Sequence, residues 1–197
     1  MSSETIRVSC AGLCRIEIDG KFLLEINKNR EDVLTPIGGA LEFEEDARFF
    51  LSSINTQFEK GMDLRLTIPA NNVDAFRTWF ERKEHRETSP LRELREELID
   101  EHRVLPSWAC NLAEPDFLCR IEHEEETSRK DRIGVLTRYF YEIFEVKLPT
   151  ELEHACRAAA GSNSSRLRLV TKREVLSGSP TKDGLKIALT SKYVIES

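Results

Sequence analysis

The chain opens with apolar and polar positions arranged in the manner of paired strands. An alternating stretch ends at Ile18, Asp19-Gly20 follows, and KFLLEIN comes next. Apolar segments on both sides of an Asp-Gly pair are the strongest local signal for a hairpin. The pattern therefore predicts two antiparallel strands at about 12–18 and 21–27. The following VLTPIGGALEF predicts a short strand that leads into Gly38-Gly39, where the backbone can approach a ligand closely.

Residues 44–83 have the pattern of an inserted helix–strand–helix segment. EEDARFFLSSINTQF has the apolar spacing of a helix, and DLRLTI alternates like a strand. In VDAFRTWFERK the large apolar side chains fall three or four residues apart, which predicts an amphipathic helix with Val73, Phe76, Trp79 and Phe80 on one side. Two interpretations of this aromatic stripe are open: core packing, which is the commoner use, and a lid over a ligand.

The stretch SPLRELREELID, which begins at residue 89, predicts a helix that runs to about residue 102. Ser89 is the expected N-cap and Pro90 the expected first helical residue. The leucines share one side of this helix and predict that it packs on a sheet through Leu91, Leu94 and Leu98.

The rest of the chain alternates between strand and helix patterns. The predicted elements are, in order, a loop and then a strand at 106–120, a charged loop at 123–132, a long aromatic strand at 135–148, a loop at 161–165, a strand LRLV, a helical turn TKREVLSG and a final helix in DGLKIALTSKYVI. This order predicts an α+β fold, with a mixed sheet sandwiched between helices. We expect one domain over residues 1–197, with the insertion at about 44–83.

Composition and charge narrow the class of protein. Hydrophobic residues make up 40% of the 197 residues, which argues against disorder, and a net charge of −6 argues against an extended nucleic-acid partner. The five cysteines form no CxxC pair, so reduced and mostly buried thiols are expected rather than a zinc site. The sequence has no secretory signal pattern and no apolar run that could span a membrane. We therefore expect a cytoplasmic protein.

Three glutamates of the predicted helix share one side. Glu93, Glu96 and Glu97 are separated by the i, i+3 and i+4 intervals that bring side chains together. Like charges at this spacing destabilise a helix by tenths of a kcal/mol per pair. A hard divalent cation would make the cluster favourable, because Mg²⁺ is bound by carboxylates together with phosphates and water. A solvated helix of mixed charge is the alternative that the charge pattern alone leaves open.

The motif RELREEL, preceded by PIGGALEF and a hairpin, resembles the signature of the Nudix hydrolase superfamily. That signature is Gly, five residues, Glu, seven residues, and then Arg-Glu-aliphatic-x-Glu-Glu-x-Gly-aliphatic. The run from Arg92 to Glu97 matches its core without a gap, and Glu84 lies eight residues before Arg92. Together with DLRLT and FRTWF, the block RETSPLRELREEL resembles SMODS-associated Nudix domains, which accompany bacterial cyclic-oligonucleotide antiphage signalling.

The resemblance implies a Nudix-like fold that hydrolyses a nucleoside diphosphate linked to another group, with Mg²⁺ or Mn²⁺ as the cofactor. It implies that Glu96 and Glu97 are metal ligands, and that Glu93 is either a third ligand or the acceptor of the attacking water's proton. Arg92 is implied to hold these glutamates in place. Candidate contacts to the substrate or its phosphates are Arg30, Gly38, Gly39 and the pair Arg129-Lys130. Candidates for a further carboxylate in the site are Glu124, Glu125, Glu126, Glu151 and Glu153. The implied partner is a small nucleotide, and a homodimer is a further expectation.

The chain departs from the family signature at several positions. Thr78 takes the place of the first Gly, Ile99 that of the second, and Asp100 that of an aliphatic residue. About fifty residues, which include the insertion at about 44–83, separate Gly38-Gly39 from the helix, and either Glu84 or Glu87 could serve as the loop glutamate. These departures favour an alternative function, a nucleotide-sensing module that binds without turnover.

Overall fold

The computed structural model describes residues 4–111, 115–127 and 132–197, with the backbone alone at residues 110 and 111. Its strands are β1 (Thr5–Arg15), β2 (Glu17–Ile18), β3 (Lys21–Ile26), β4 (Val33–Pro36), β5 (Gly38–Ala40), β6 (Gln57–Phe58), β7 (Arg65–Pro69), β8 (Asp116–Glu126), β9 (Leu136–Glu145), β10 (Leu167–Thr171) and β11 (Lys186–Ile187). Its α-helices are α1 (Arg48–Ser53), α2 (Val73–Arg82), α3 (Leu91–Arg95), α4 (Thr150–Ala160), α5 (Lys172–Ser177) and α6 (Thr190–Glu196). A π-helix (Glu96–Glu101) continues α3, and short 3₁₀ helices stand at Glu45–Ala47, Ala70–Asn72 and Ser107–Asn111.

The strands form two sheets. One has the order β6-β7-β1-β9-β8, with β5 paired to β1, and the other has the order β10-β3-β4-β11, with β2 paired to β3. Most of the pairs are antiparallel, whereas β11 runs parallel to β4 in the second sheet. The predicted α+β fold with a mixed sheet is therefore confirmed.

The predicted hairpin is present between β2 and β3. Its two turn residues, Asp19 and Gly20, both have positive φ, at 52° and 72°. Two consecutive positive φ angles define the tight turn whose twist matches that of paired strands, and Asp-Gly is a favoured sequence for it. Ile18 therefore pairs with Lys21, in the register that the apolar pattern predicted.

The chain divides into two compact units. The first unit comprises Met1–Gly12, Ala40–Thr88 and Arg120–Glu142, and the second unit comprises Leu13–Gly39, Ser89–Cys119 and Ile143–Ser197.

The core of the first unit is aromatic. Phe76 and Phe80 of α2 are fully buried, and each ring centroid lies 5.6 Å from that of Phe140. Trp79 is also buried, so the aromatic stripe of α2 belongs to the core rather than to a lid. The inserted segment also supplies β7, which pairs with β1 in a register that places Val8 opposite Leu66.

The second unit packs its motif helix through the predicted leucines. Leu94 and Leu98 are buried in a core with Cys14, Ile16 and Ile37. Burial of such side chains contributes about 1.5–3 kcal/mol each, so this contact fixes the helix against the strands before any charged group is considered. A separate apolar cluster joins β3, β4 and β10 to α5 and α6.

Some predicted elements were wrong in type or extent. The charged stretch predicted as a loop at 123–132 continues β8 as far as Glu126. Arg138 of the neighbouring β9 binds Glu124 on this strand and lies 3.5 Å from Glu122. Such cross-strand ion pairs stabilise a sheet face that apolar periodicity does not mark.

Two differences concern the C-terminal part. The helix α4 was not predicted, although its first turn carries Glu151 and Glu153 and its buried side is formed by Leu152 and Cys156. The predicted final helix is shorter, because residues 186–187 form β11 and the helix begins at Thr190.

The buried thiols that the sequence predicted are present: Cys10, Cys14 and Cys156 are free and buried, whereas Cys119 is half-buried. The side chain of Cys110 lies outside the described part of the chain. None of the helices in the described residues is long and apolar enough to cross a membrane.

Candidate functional site

The helix that carries the motif begins one residue later than predicted. Leu91 is its first residue, Pro90 is the N-cap, and the amide of Leu94 donates to the Pro90 carbonyl at 2.9 Å. Ser89 is therefore not the N-cap. Proline lacks an amide hydrogen, and the amides at a helix start have no partner within the helix, so Pro90 fits this position.

The second half of the motif adopts a π-helix. The His102 amide donates to the Glu97 carbonyl at 2.9 Å, five residues earlier in the chain. This wider turn includes Ile99, which stands where the family signature has glycine. Single π turns occur frequently at functional sites because they shift the side chains that follow relative to an α-helix.

Glu97 lies in the interior of the second unit. Its exposed fraction is 4%, and its Oε2 accepts a hydrogen bond of 2.9 Å from the amide of Gly38. Gly38 has a φ of 127°, a value that other residues rarely adopt. The glycine thus permits the backbone geometry in which its N–H points at the carboxylate.

Glu93 packs against the next glycine. A Cβ atom on Gly39 would overlap the carboxyl group of Glu93. Two consecutive glycines therefore accommodate two glutamates one helical turn apart, Gly38 through its amide and Gly39 through its lack of a side chain. The structure brings these four predicted residues together, and it explains why two glycines stand at this point.

Arg92 links two of the glutamates on the helix. Its Nη1 donates to Glu93 at 2.9 Å and to Glu96 at 3.3 Å. The side chain of Glu96 is 47% exposed, in contrast to buried Glu97. Glu93 thus has Arg92 on one side and Gly39 on the other, whereas Glu96 faces outward.

Glu25 is a member of this cluster that sequence reasoning missed. It lies on β3, its side chain is 5% exposed, and it shares a hydrogen bond with Glu97. Burial, reinforced by the charge of Glu25, raises the pKa of Glu97 to about 9. Two buried carboxylates in contact do not both ionise unless a cation offsets their charges, and otherwise one of them keeps a proton.

His102 holds the other side of Glu25. Its Nε2 lies 2.9 Å from Glu25 Oε2, and its ring is 8% exposed. His102 is thus a buried histidine that contacts the carboxylate pair. Glu25 could have been suspected, because it is the one charged residue inside the apolar stretch FLLEI.

Cys14 also lies near the carboxylates but has no reactive character. Burial raises the pKa of its thiol, and the charges of Glu97 and Glu93 raise it further. A thiol in this environment is protonated at neutral pH, and the thiolate is the nucleophilic form. Cys14 is therefore a packing residue.

The other predicted site residues lie elsewhere. Arg30 is exposed in the turn between β3 and β4. In the first unit, Glu87 accepts a hydrogen bond from the Glu42 amide, and Glu84 lines a cavity beside α2. The candidates for a further carboxylate stand on β8 or in the first turn of α4 rather than in loops: Glu124, Glu125, Glu126, Glu151 and Glu153. The pair Arg129-Lys130 lies outside the described residues.

The cluster fits a hard cation by its chemistry. Its donors are carboxylate oxygens, the ligand type that Mg²⁺ and Mn²⁺ prefer. A bound cation would also offset the repulsion between the buried carboxylates of Glu25 and Glu97. Over residues 4–111, 115–127 and 132–197, however, no three His, Cys, Asp or Glu side chains are arranged as a closed metal site.

Comparison with known families identifies the chain. The family model described as "SMODS-associated NUDIX domain" matches residues 5–195. The chain belongs to this family. No curated protein matches it. Among solved structures, the chain is similar to that titled "Solution structure of the E. coli ORF135 protein", with 15% identity, a TM-score of 0.40, and coverage of 97% of this chain and 88% of that one. A TM-score this low carries no argument.

Membership of this family relates the cluster to the Nudix signature. As a Nudix-family domain, the chain is a candidate hydrolase, and Arg92 to Glu97 form the part of the Nudix signature that is intact. Members of such families generally use divalent metals. The cluster of Glu25, Glu93 and Glu97 against Gly38-Gly39 is therefore the candidate site, and from here on it is called the Nudix cluster.

Proposed function

We propose that this Nudix domain is a Mg²⁺- or Mn²⁺-dependent hydrolase of a nucleoside diphosphate linked to another group. The observation that carries the proposal is the burial of Glu97 beside Glu25. Such an arrangement costs stability in a protein that has no use for it. Strongly perturbed carboxylates gathered in one place are the physical signature of a functional site.

In this proposal the metal would be held by Glu96 and Glu97, and Glu93 acts as the base. When bound, the metal supplies charge neutralisation on the phosphoryl oxygens and lowers the pKa of the attacking water. The chain's own contribution is positional. The Gly38 amide fixes one oxygen of Glu97, and Arg92 restrains Glu93 and Glu96 by charge-assisted hydrogen bonds.

Glu93 is the group that we assign as acceptor of the water's proton. It stands between Arg92 and Gly39, so its carboxyl group is oriented from both sides. A base must be within hydrogen-bonding reach of the proton that it removes, and a fixed orientation provides this. Glu25 and His102 support Glu97 from behind, as hydrogen-bond partners outside the set of metal ligands commonly do.

The proposal includes a cellular setting. The family description associates the domain with SMODS proteins, and we propose that the substrate is a nucleotide of bacterial antiphage signalling. A cytoplasmic location and a homodimer remain predictions.

The test is release of phosphate or nucleoside monophosphate from a panel of nucleoside diphosphate derivatives with Mg²⁺ or Mn²⁺. We expect Glu97→Gln to lower turnover at least about tenfold, because it removes one charged ligand and alters the Glu25 contact. The matched control is Glu17→Gln, which neutralises an exposed carboxylate on β2 and should leave turnover unchanged. Equal turnover by wild type and Glu97→Gln would refute the assignment.

A second function is favoured by two observations. Ile99 and the π turn replace the glycine of the family signature, and no closed three-ligand metal site stands among the described residues. Both fit a module that binds a nucleotide without hydrolysing it. This sensor function predicts that nucleotides raise the melting temperature of the protein while the whole panel remains intact.

A further inference from the structure

The second unit contains a cavity at the C-terminal end of the motif helix. Its volume is about 530 Å³, within the range of small-molecule pockets. Its walls come from residues 101–104, from the end of α4 and from residues 162–166. We propose that this cavity is a subsite for the phosphate group of a small phosphorylated ligand.

The first observation is an arginine that lacks an internal partner. Arg103 lines the cavity, is exposed, and makes no hydrogen bond or ion pair with any other described residue. Its φ of 51° places it in the left-handed region, at the point where the π-helix ends. A guanidinium with all its N–H groups available matches the geometry of a phosphate, which accepts two parallel hydrogen bonds from it.

The second observation is another arginine on the opposite side. Arg166 is anchored by a hydrogen bond of 2.9 Å from Nη2 to the carbonyl of Ile26. Its Nε is buried and has no hydrogen-bond partner within the described part of the chain. Because this Nε is shielded from solvent, the group that a ligand could reach is Nη1, which lies 3.9 Å from a carboxylate oxygen of exposed Glu31.

Hydroxyl groups line the same wall. Ser162, Ser164 and Ser165 face the cavity, and the Oγ atoms of Ser162 and Ser164 lie 2.8 Å apart. Ser165 Oγ accepts from the amide of Leu167, which leaves its O–H free to donate. Small side chains, Ala155 and Ala159, leave the space open. Hydroxyl donors beside arginines are the usual complement of a phosphate and its attached sugar.

The charge balance of the cavity selects an anion. Its acidic lining residue, Glu101, is already paired with Lys28 at 2.5 Å. His102, also in the wall, is occupied by Glu25. The lining therefore carries more positive than negative charge, with Arg103 and Arg166 against Glu101, although Glu31 lies 3.9 Å from Arg166 and the whole chain has a net charge of −6.

The subsite adjoins the Nudix cluster through one residue. His102 lines the cavity on one side and contacts Glu25 on the other, and Glu25 is bonded to Glu97. The claim that the bound ligand is the substrate rests on the proposed function. The claim that the cavity binds a phosphate group is independent of the proposed function.

The test is calorimetric titration in EDTA, so that no turnover occurs, with inorganic phosphate, ribose 5-phosphate and adenosine as probes. We expect ribose 5-phosphate to bind wild type, and Arg103→Gln to weaken this binding at least about tenfold. Arg173→Gln removes one exposed positive charge on α5 and should change the affinity less than about twofold. Adenosine, which has no phosphate, should not bind. Ser164→Ala should weaken binding in the same direction as Arg103→Gln, but by less.

Two results would overturn the subsite: ribose 5-phosphate fails to bind wild type, or it binds Arg103→Gln and wild type equally. Circular dichroism of each variant shows that the loss of affinity is not a loss of folding. The outcome is separable from that of the hydrolase proposal. Loss of phosphate binding in Arg103→Gln without hydrolysis of any panel substrate supports the subsite and refutes the hydrolase. If hydrolysis depends on Glu97 but Arg103→Gln binds ribose 5-phosphate as wild type does, the hydrolase proposal is supported and the subsite is refuted.

Discussion

Each unit of this protein contains a buried pair of charged groups, and the two pairs are opposite in kind. In the first unit, Arg86 and Glu142 are fully buried and joined by two hydrogen bonds, at 2.9 and 3.1 Å. In the second unit, Glu25 and Glu97 are nearly as deeply buried, but both are acids. The first pair joins opposite charges, whereas the second holds two acids, one of which keeps a proton unless a cation offsets their charges.

The neighbours of the Arg86–Glu142 pair complement its charges. Arg86 also donates to the carbonyl of Phe80 and stacks on its ring at 3.8 Å, and Arg120 gives Glu142 a further donor. All these groups are complementary, so the network holds the segment after α2 in place. A pair of like charges has no such structural use, which is why we assign function to the second pair and not to the first.

The largest expected effect is a loss of stability at the Arg86–Glu142 pair of the first unit. Glu142→Gln leaves the buried guanidinium of Arg86 without its counter-charge, and we expect the free energy of unfolding to fall by about 3–5 kcal/mol. Urea unfolding of wild type and variant measures this difference. The control is Glu45→Gln, which breaks an exposed ion pair with Arg48 and should leave the unfolding midpoint unchanged. Similar midpoints for Glu142→Gln and wild type would remove the distinction between the two pairs.

A smaller effect of opposite sign is expected at the acidic pair. In metal-free buffer at pH 8, we expect Glu97→Gln to raise the free energy of unfolding by roughly 1–2 kcal/mol, because glutamine, unlike glutamate, needs no proton to be buried beside Glu25. Burial and Glu25 raise the pKa of Glu97 to about 9, so the folded state binds a proton that the unfolded state has released. Wild type should therefore lose stability relative to the variant as pH rises from the ordinary range of a glutamate toward 9.

Thermal unfolding of both proteins across this pH range measures the difference. A variant that is less stable than wild type at every pH would show that Glu97 stabilises the fold, and its burial would then give no reason to infer a functional site.

The smallest effect on stability is expected at Gly39, where the change is local. A methyl group there overlaps the carboxyl group of Glu93, which can rotate away at little cost. We expect Gly39→Ala to lower stability by less than about 1 kcal/mol and to lower turnover at least about tenfold. Gly161→Ala is the matched control, since a Cβ there makes only ordinary contacts at 3.6 Å. Unchanged turnover in Gly39→Ala would separate Glu93 from the chemistry.

The sequence was sufficient for features that local periodicity encodes. The leucine spacing predicted which side of the motif helix is buried, and Leu94 and Leu98 are buried as expected. Asp19-Gly20 predicted the hairpin because the turn type depends on those two residues alone. The same reasoning failed for α4, whose short apolar side was not separated from the loop that follows it.

The sequence was insufficient for features that depend on tertiary contact. Glu25 is 72 residues from Glu97, and nothing near it in the chain signals an acidic neighbour. The π turn over Glu96–Glu101 depends on how the helix end packs, since its residues individually suit an α-helix. The wrong N-cap at Ser89 is the one-or-two-residue error that is usual at helix ends.

The central claim is that Glu97, buried beside Glu25 in the Nudix cluster, binds a divalent cation, and metal binding tests it most directly. Calorimetric titration of Mn²⁺ at pH 7.5 compares wild type with Glu97→Gln and with the surface control Glu17→Gln. We predict binding by wild type and by the control, with affinity at least about tenfold weaker in Glu97→Gln. Equal Mn²⁺ affinity in all three proteins, or no binding by wild type, would contradict the claim.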